Sequence, residues 1–110
     1  MNPEKIKIML IHRIGSKRLS NKPLRKVQGE TMAVQYHIRR AKRSKYEPIL
    51  CIPEDPESNQ LVGIAKSEGI RYFRGSYKNV TKRIYDAAVW ANADVIVRGT
   101  GDDILIDVQL

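Results

Sequence analysis

The segment Ile6-Lys7-Ile8-Met9-Leu10-Ile11 is followed at once by His12-Arg13-Ile14-Gly15-Ser16-Lys17-Arg18-Leu19-Ser20-Asn21-Lys22-Pro23-Leu24. The apolar run predicts a buried strand. The second segment is basic, and its central Gly-Ser pair can form a tight turn that directs backbone N–H groups toward an anion. Cations and backbone donors at the carboxyl end of a strand are typical of a phosphate site. A basic surface loop that contains a turn is the alternative interpretation.

The bulk composition is that of one globular domain, and we treat residues 1–110 as a single unit. No apolar run approaches the ~20 residues that span a bilayer. The N-terminus lacks the apolar core of a signal peptide, and the single cysteine, Cys51, lies in an apolar stretch typical of a core. We therefore expect a cytoplasmic protein in which Cys51 is not a nucleophile.

The net charge of +8 indicates an anionic partner. Besides the segment after the first strand, a second basic run extends from Arg39 to Lys45. It falls at the end of a predicted helix, where cations complement the helix dipole. We interpret this second run as a solvated helix face.

Beyond these segments, strand and helix patterns alternate along the chain. We predict further strands at Ile49–Ile52, Ile70–Phe73 and Asp94–Arg98. Three helical stripes separate the strands; Thr31 is the expected N-cap of the first, and Gly69 and Asn92 are the expected left-handed residues after the other two. The stripes are Val34, Ile38 and Ala41; Leu61, Ile64 and Ala65; and Val80, Ile84, Ala87, Ala88 and Ala91.

The order βαβαβαβ predicts a three-layer α/β/α fold with a mainly parallel, Rossmann-like sheet and helices on both faces. Ligands of such sheets bind outside the carboxyl ends of the strands, where the strand order reverses. The loops after the first and fourth strands are expected to open at that edge. This arrangement would bring the basic segment close to Asp102 and Asp103.

The pattern Arg-x-Gly-Ser-x-Arg-Leu-x-x-Lys-x-Leu, from Arg13 to Leu24, resembles the signature of the cytidylyltransferases that make CMP-activated sugars. It is similar in particular to the spore-coat-polysaccharide branch, beside the CMP-ketodeoxyoctonate and CMP-sialate synthetases. Further matches follow in the same order, at Phe73–Ser76, Ala93–Arg98 and Gly101–Asp107. The resemblance covers nearly all of the chain but only the N-terminal half of such an enzyme, so the expected nucleotidyltransferase fold is truncated.

The resemblance implies a set of site residues. The triphosphate-binding positions of the family are occupied here by Arg13, Ser16, Arg18 and Lys22, beside the backbone N–H groups of Gly15 and Ser16. The catalytic candidates are Arg13, Arg18 and Lys22. Asp102 falls on the metal position, which implies Mg²⁺, and Arg74 and Ser76 fall on the nucleotide-base pocket. The implied reaction is attack of a sugar hydroxyl on the α-phosphate of CTP, with release of pyrophosphate, in the synthesis of surface-polysaccharide or glycan precursors.

The chain also departs from the family pattern. Tyr77-Lys78-Asn79 and Thr81-Lys82 stand where the family usually has acidic residues, and Ser20-Asn21 replaces a frequent Pro-Gly. The reversed charge leaves the base selectivity and the sugar acceptor open.

Other classes of site lack their motifs. The chain has neither the P-loop pattern nor Gly-x-Gly-x-x-Gly after the first strand, and His12 and His37 have no Cys or His partners at zinc-ligand spacing. A basic nucleic-acid-binding module also explains the charge, but its recognition motifs are absent, so nucleic acid is not favoured. A non-catalytic interaction domain that kept the fold is a third possibility.

The final expectation concerns the other half of such an enzyme. That half is expected to contribute the acceptor-sugar site, a second metal-binding carboxylate and the dimer contact. The apolar residues near the C-terminus would then lack cover, and Val89 and Trp90 lie off the main stripe of their helix. We therefore expect a homo-oligomer or a partner chain, and little sugar transfer by an isolated monomer.

Overall fold

The computed structural model describes residues 5–12, 26–28, 31–100 and 106–109, and for residues 26–28, 31–32, 99–100 and 106–109 it describes the backbone alone. The described strands are β1 (Ile6–Ile11), β2 (Lys26–Gln28), β3 (Thr31–Met32), β4 (Glu47–Pro53), β5 (Arg71–Gly75), β6 (Val95–Thr100) and β7 (Ile106–Gln109). The described α-helices are α1 (Ala33–Lys42), α2 (Asn59–Glu68) and α3 (Val80–Trp90), and a 3₁₀ turn spans Pro56–Ser58.

The main sheet has the strand order β5-β4-β1-β6-β7. β1 pairs in parallel with both β4 and β6, β4 pairs in parallel with β5, and β7 is antiparallel to β6. Chain order therefore runs outward from β1 to β5 and then returns to the other side of β1. These observations confirm the predicted α/β fold with a mainly parallel sheet.

Side chains of alternate residues in the central strands enter two separate cores. Ile8 and Leu10 of β1 pack with the buried residues of α1 and α2, whereas Met9 packs with those of α3. β4 divides in the same way, because Leu50 and Ile52 belong to the first core and Ile49 and Cys51 to the second. Burying one such aliphatic side chain contributes about 1.5–3 kcal/mol. A strand with apolar residues on both faces thus requires helices on both sides of the sheet.

The helices follow the predicted stripes closely. Val34, Ile38 and Ala41 are the buried residues of α1, and Leu61 and Ala65 are those of α2. Ile84, Ala87 and Ala88 are buried in α3, together with one residue that was not predicted, Arg83. Gly69 has φ 73° and Asn92 has φ 56°, so both predicted left-handed positions are confirmed.

Several predicted boundaries were wrong. Thr31 is not a helix N-cap, because it lies in β3, which forms a small antiparallel ladder with β2. Helix α1 begins at Ala33 and ends at Lys42. β5 continues to Gly75 and β6 to Thr100 because pairing with β4 and β1 extends both strands by two residues. Sheet pairing, which depends on distant residues, decided each of these strand ends.

The topology places the reversal of strand order between β1 and β6. The last residues of these strands, Ile11 and Thr100, are direct partners in the parallel register. The chain therefore leaves β1 and β6 at adjacent points of one edge, which we call the carboxyl edge. None of the described helices has the length and apolar character needed to cross a membrane.

Candidate nucleotide site

The carboxyl edge collects strand ends and helix starts. His12 follows β1, Asp55 follows β4, and Ser76 follows β5. Each α-helix of a right-handed βαβ unit begins at this edge, where its unpaired N–H groups create a positive potential. The first turns of α1, α2 and α3 contain no acidic residue that would neutralise this potential. The starts of the three α-helices therefore contribute a positive potential to this edge, which also carries the acidic residues Glu54 and Asp55 after β4.

Most of the predicted site residues lie outside the described residues. Among them are all of the triphosphate candidates, together with the metal candidate: Arg13, Gly15, Ser16, Arg18, Lys22 and Asp102. The described strands that precede these two segments in the sequence end side by side, since Ile11 of β1 and Thr100 of β6 are direct partners in the register. Their predicted roles stay predictions.

Arg74, a predicted base-pocket residue, occupies the end of β5. One guanidinium nitrogen, Nη1, donates to Asn59 Oδ1 at 2.6 Å, and Nη2 donates to the backbone carbonyl of Asp55 at 2.6 Å. Arg74 thereby ties the turn after β4 and the first residue of α2 to the edge strand. In these contacts its guanidinium acts as a structural clamp on neutral oxygens.

Ser76, the second base-pocket candidate, begins a pair of successive caps that lead into α3. Its Oγ accepts a hydrogen bond from the backbone N–H of Asn79 at 3.1 Å. Asn79 is the N-cap of α3, and its Oδ1 accepts from the N–H of Lys82 at 2.9 Å. The serine hydroxyl that accepts one bond still has a proton to donate. Asn79, one of the departures from the family pattern, thus has a defined role in starting the helix.

Arg83 is the charged residue that the sequence analysis missed. It is fully buried in the first turn of α3, and its Nη1 donates to the backbone carbonyl of Ser76 at 3.3 Å. The helical spacing could have predicted this burial, since position 83 falls on the same helical face as Val80 and Ala87. A charged group in an apolar stripe has to be hydrogen-bonded, and here it holds the loop that carries Ser76.

Gly75 explains how α3 approaches β5 so closely. A Cβ atom at this position would lie 2.8 Å from Phe73 Cε2, 3.0 Å from Arg83 Cγ and 3.5 Å from Arg83 Cα. Glycine is therefore required by space rather than by backbone conformation. The carbonyl of the same glycine accepts a hydrogen bond from the backbone N–H of Glu54 at 3.0 Å.

His12 and His37 form a pair that sequence spacing did not suggest. His12 Nε2 and His37 Nδ1 are 2.9 Å apart, and the two rings meet edge to face. Burial, with a smaller contribution from the charge of Arg40, lowers the pKa of His37 below its ordinary value. Among the described residues no group of three metal-ligating side chains occurs.

Cys51 behaves as the core residue that the sequence predicted. It is fully buried on β4, and burial raises the pKa of its thiol to about 11. The thiol is therefore protonated at neutral pH, and a protonated thiol is a poor nucleophile. No chemistry at this edge is assigned to it.

The second basic run is solvated, as predicted. Arg39 forms a two-point ion pair with Glu68 of α2, at 3.0 and 2.9 Å, and Lys42 donates to the backbone carbonyl of the same residue. Arg40 and Lys45 lie over the rings of Tyr36 and Tyr46. These cations therefore fasten α1 to α2 or cover exposed aromatic rings.

A different charge arrangement is present at the opposite end of the strands, the amino edge. Glu47 at the start of β4 accepts from Lys7 at 3.1 Å and from Arg71 at 2.6 and 2.9 Å. The guanidinium of Arg71 also lies 4.7 Å from the ring centroid of Trp90. A shallow groove of about 450 Å³ opens beside it, lined by Ile70, Arg71, Tyr72 and Trp90. The groove borders the first residues of β5, whereas Arg74 lies near the end of that strand.

A mainly parallel sheet whose order reverses between β1 and β6 is characteristic of α/β domains that bind ligands outside the carboxyl ends of their strands. The cytidylyltransferase family model matches residues 8–110, and the chain belongs to this family. This match confirms the family resemblance that the motifs from Arg13 onward had suggested.

Individual relatives agree with this assignment. The chain is 40% identical over 100 residues to an uncharacterized protein of Methanocaldococcus jannaschii, covering 89% of this chain and 41% of that protein. It is 29% identical over 107 residues to a 3-deoxy-manno-octulosonate cytidylyltransferase of Psychrobacter arcticus, covering 94% of this chain and 40% of that one. The chain thus spans about two fifths of the length of these curated relatives.

Solved structures share the fold. A cytidylyltransferase from Leptospira borgpetersenii serovar Hardjo-bovis has a TM-score of 0.82 at 34% identity, over 89% of this chain and 42% of that one. A CMP:2-keto-3-deoxy-manno-octonic acid synthetase solved with CTP has a TM-score of 0.72 at 24% identity, over 90% of this chain and 41% of the synthetase. At that identity the second likeness supports the fold alone.

Proposed function

We propose that this chain is the nucleotide-binding part of a cytoplasmic cytidylyltransferase that binds CTP with Mg²⁺ and transfers CMP to a sugar acceptor. The observation that carries the proposal is the direct register pairing of Ile11 with Thr100. β1 leads into the basic segment along the sequence, and β6 leads into the Gly101-Asp102 segment, so the pairing supports a site that uses both. A nucleotidyl transfer needs both a cationic grip on the polyphosphate and a carboxylate for the metal.

In the proposed site the cations neutralise the triphosphate. Arg13, Arg18 and Lys22 hold phosphate oxygens, assisted by the N–H groups of Gly15 and Ser16. Asp102 would hold Mg²⁺ through a carboxylate oxygen, and the metal would supply charge stabilisation to the reacting phosphate. The sugar hydroxyl attacks that phosphorus, and pyrophosphate leaves. Positioning and electrostatics therefore account for most of the catalysis in this proposal.

We assign base recognition to the end of β5. Ser76 has a hydroxyl proton to donate and a backbone carbonyl oriented by the buried Arg83. Arg74 shapes the same region through its clamp on Asp55 and Asn59. β5 is two strands from β1, so about 10 Å separates the ends at a spacing of ~4.8 Å per strand. A nucleotide can bridge that distance between its phosphates and its base.

Calorimetric titration with Mg-CTP, Mg-UTP and Mg-ATP tests the proposal. We expect Mg-CTP to bind most tightly, and Arg18→Ala or Lys22→Ala to weaken it by about 1–3 kcal/mol through loss of a charge-assisted contact. Asp102→Asn should weaken binding chiefly in the presence of Mg²⁺. No binding of any nucleotide at millimolar concentration would refute a nucleotide site. Unchanged metal dependence in Asp102→Asn would refute only the metal assignment.

We further propose that full sugar transfer requires additional polypeptide, from a second copy or a partner chain. Tyr85, Val89 and Trp90 are exposed on α3, and Trp90 also lines the groove at the amino edge. Exposed apolar patches of this kind are typical of association surfaces. Sedimentation of the chain with and without Trp90→Ser, combined with a pyrophosphate-release assay, tests this. A monomer that turns over CTP with a sugar acceptor would contradict it.

A further inference from the structure

The histidine pair lies where the chain leaves β1 for the basic segment. His12 is the first residue after β1 and is only 4% exposed. Its backbone N–H donates to the carbonyl of Cys51 on β4 at 3.3 Å, and its ring Nε2 is 2.9 Å from His37 Nδ1 on α1. One residue is thus held from two sides, by the neighbouring strand and by the helix that covers it.

The pair is not needed to dock α1 on the sheet. Val34 and Ile38 of the same helix are fully buried against Ile8 and Leu10, so apolar packing already secures the contact. A hydrogen bond adds what packing lacks, because it restricts direction as well as distance. The buried Nε2 of His37 makes no hydrogen bond with any described residue, so the ring is oriented through Nδ1. The interaction therefore specifies how the end of β1 is oriented.

We propose that His12 and His37 are a positioning pair that fixes the orientation of the end of β1, beside which the proposed site binds a nucleoside triphosphate. This inference rests on the proposed function, because it assigns the pair to that same site. Neither histidine touches the reacting atoms in this assignment. His37 acts through His12, and His12 acts through the end of β1.

Two substitutions of His37 separate positioning from packing. His37→Phe keeps the ring and removes the nitrogen that faces His12, whereas His37→Asn retains a polar atom near the place of Nδ1. We expect His37→Phe to raise the Kd for Mg-CTP by about fivefold to tenfold, the factor that corresponds to one lost hydrogen bond. His37→Asn should bind within about twofold of the unmodified chain.

The control is Ile38→Val, the adjacent residue of α1, which is buried in the apolar core. It should lower the unfolding temperature and leave the Kd unchanged, since it removes packing but no hydrogen bond. If Ile38→Val weakens Mg-CTP as much as His37→Phe does, general loosening of α1 explains the effect and the positioning role is overturned.

Two further measurements keep the test decisive. Nitrogen-15 NMR of the unmodified chain should detect an N–H···N bond between the two imidazoles, and its absence would overturn the inference even if His37→Phe does not fold. Amide hydrogen exchange at His12 should be slow in the unmodified chain and in His37→Asn, and faster in His37→Phe.

If the unmodified chain binds no nucleotide, the proposed function falls. Exchange at His12 then decides whether the pair orients the end of β1, and equal rates in all three proteins would refute it.

Discussion

The two ends of the same strands use cations in different ways. At the amino edge, Lys7 and Arg71 both contact the carboxylate of Glu47, so their charges are neutralised within the protein. At the carboxyl edge, Arg74 donates to the amide oxygen of Asn59 and to a backbone carbonyl, and Arg83 Nη1 donates to another backbone carbonyl. Neutral acceptors orient a guanidinium without cancelling its charge.

The two arrangements stabilise different things. An ion pair at a solvated edge contributes little and depends on salt. A guanidinium held by neutral oxygens fixes the backbone of a site and leaves a positive potential for a ligand. We therefore expect substitutions at the carboxyl edge to lower the free energy of unfolding more than substitutions at the amino edge.

The largest expected effect compares the two arginines directly. Arg83→Ala should reduce the free energy of unfolding by about 2–4 kcal/mol, because it empties a fully buried volume and leaves the Ser76 carbonyl without that charged donor. Arg71→Ala should cost about 1 kcal/mol or less, because its side chain is 48% exposed. Urea unfolding followed by far-UV circular dichroism measures both. Equal losses would contradict the contrast between the edges.

The next prediction uses two glycines. Gly75→Ala should destabilise the chain by about 1–3 kcal/mol, since the new methyl group would press on the Phe73 ring and on Arg83. Gly63→Ala is the matched control, because it adds the same methyl group inside α2 with nothing within 4 Å. That control should gain about 0.5–1 kcal/mol from helix propensity. Thermal unfolding of both variants checks the prediction, and a neutral Gly75→Ala would show that α3 can move away from β5.

A smaller effect is expected at the clamp of Arg74. A double-mutant cycle with Arg74→Ala and Asn59→Ala should give a coupling energy of about 0.5–1.5 kcal/mol, the contribution of one hydrogen bond. The corresponding cycle for Lys82 and Asp86, an exposed pair on α3, should give about 0.3–0.5 kcal/mol. Unfolding free energies of the four proteins in each cycle provide the values. A clamp coupling no larger than that of the surface pair would argue against its structural role.

The smallest effect concerns pH at the amino edge. Hydrogen bonding from Arg71, with a further contribution from Lys7, lowers the pKa of Glu47 below its ordinary value of 4.5. A lowered carboxyl pKa stabilises the folded chain above that value, and the stabilisation is lost as pH falls through the folded pKa. Glu47→Gln should therefore cost less than about 1 kcal/mol at pH 7, and the difference should disappear as pH falls through the lowered pKa of Glu47. A difference that persists in acid would mean that packing, not charge, is responsible.

Much of the fold could be predicted because its causes are local. The stripe from Val80 to Ala91 has helical spacing, and Gly69 and Asn92 tolerate the left-handed backbone that ends a helix. Alternation of these helices with apolar strands then implied a parallel sheet. The site could be predicted only as far as its motif extended, to residues recognised by their order along the chain.

The tertiary structure decided what depends on residues distant in sequence. β5 and β6 extend two residues further than their own composition suggested because β4 and β1 supply backbone partners at Gly75 and Thr100. The packing of helices on the sheet buries Arg83, which donates a hydrogen bond to the backbone carbonyl of Ser76. The same packing brings His12 into contact with His37, 25 positions further along the chain. Local spacing determines periodicity and turn chemistry, whereas strand register and the partners of buried polar groups arise only when the chain closes on itself.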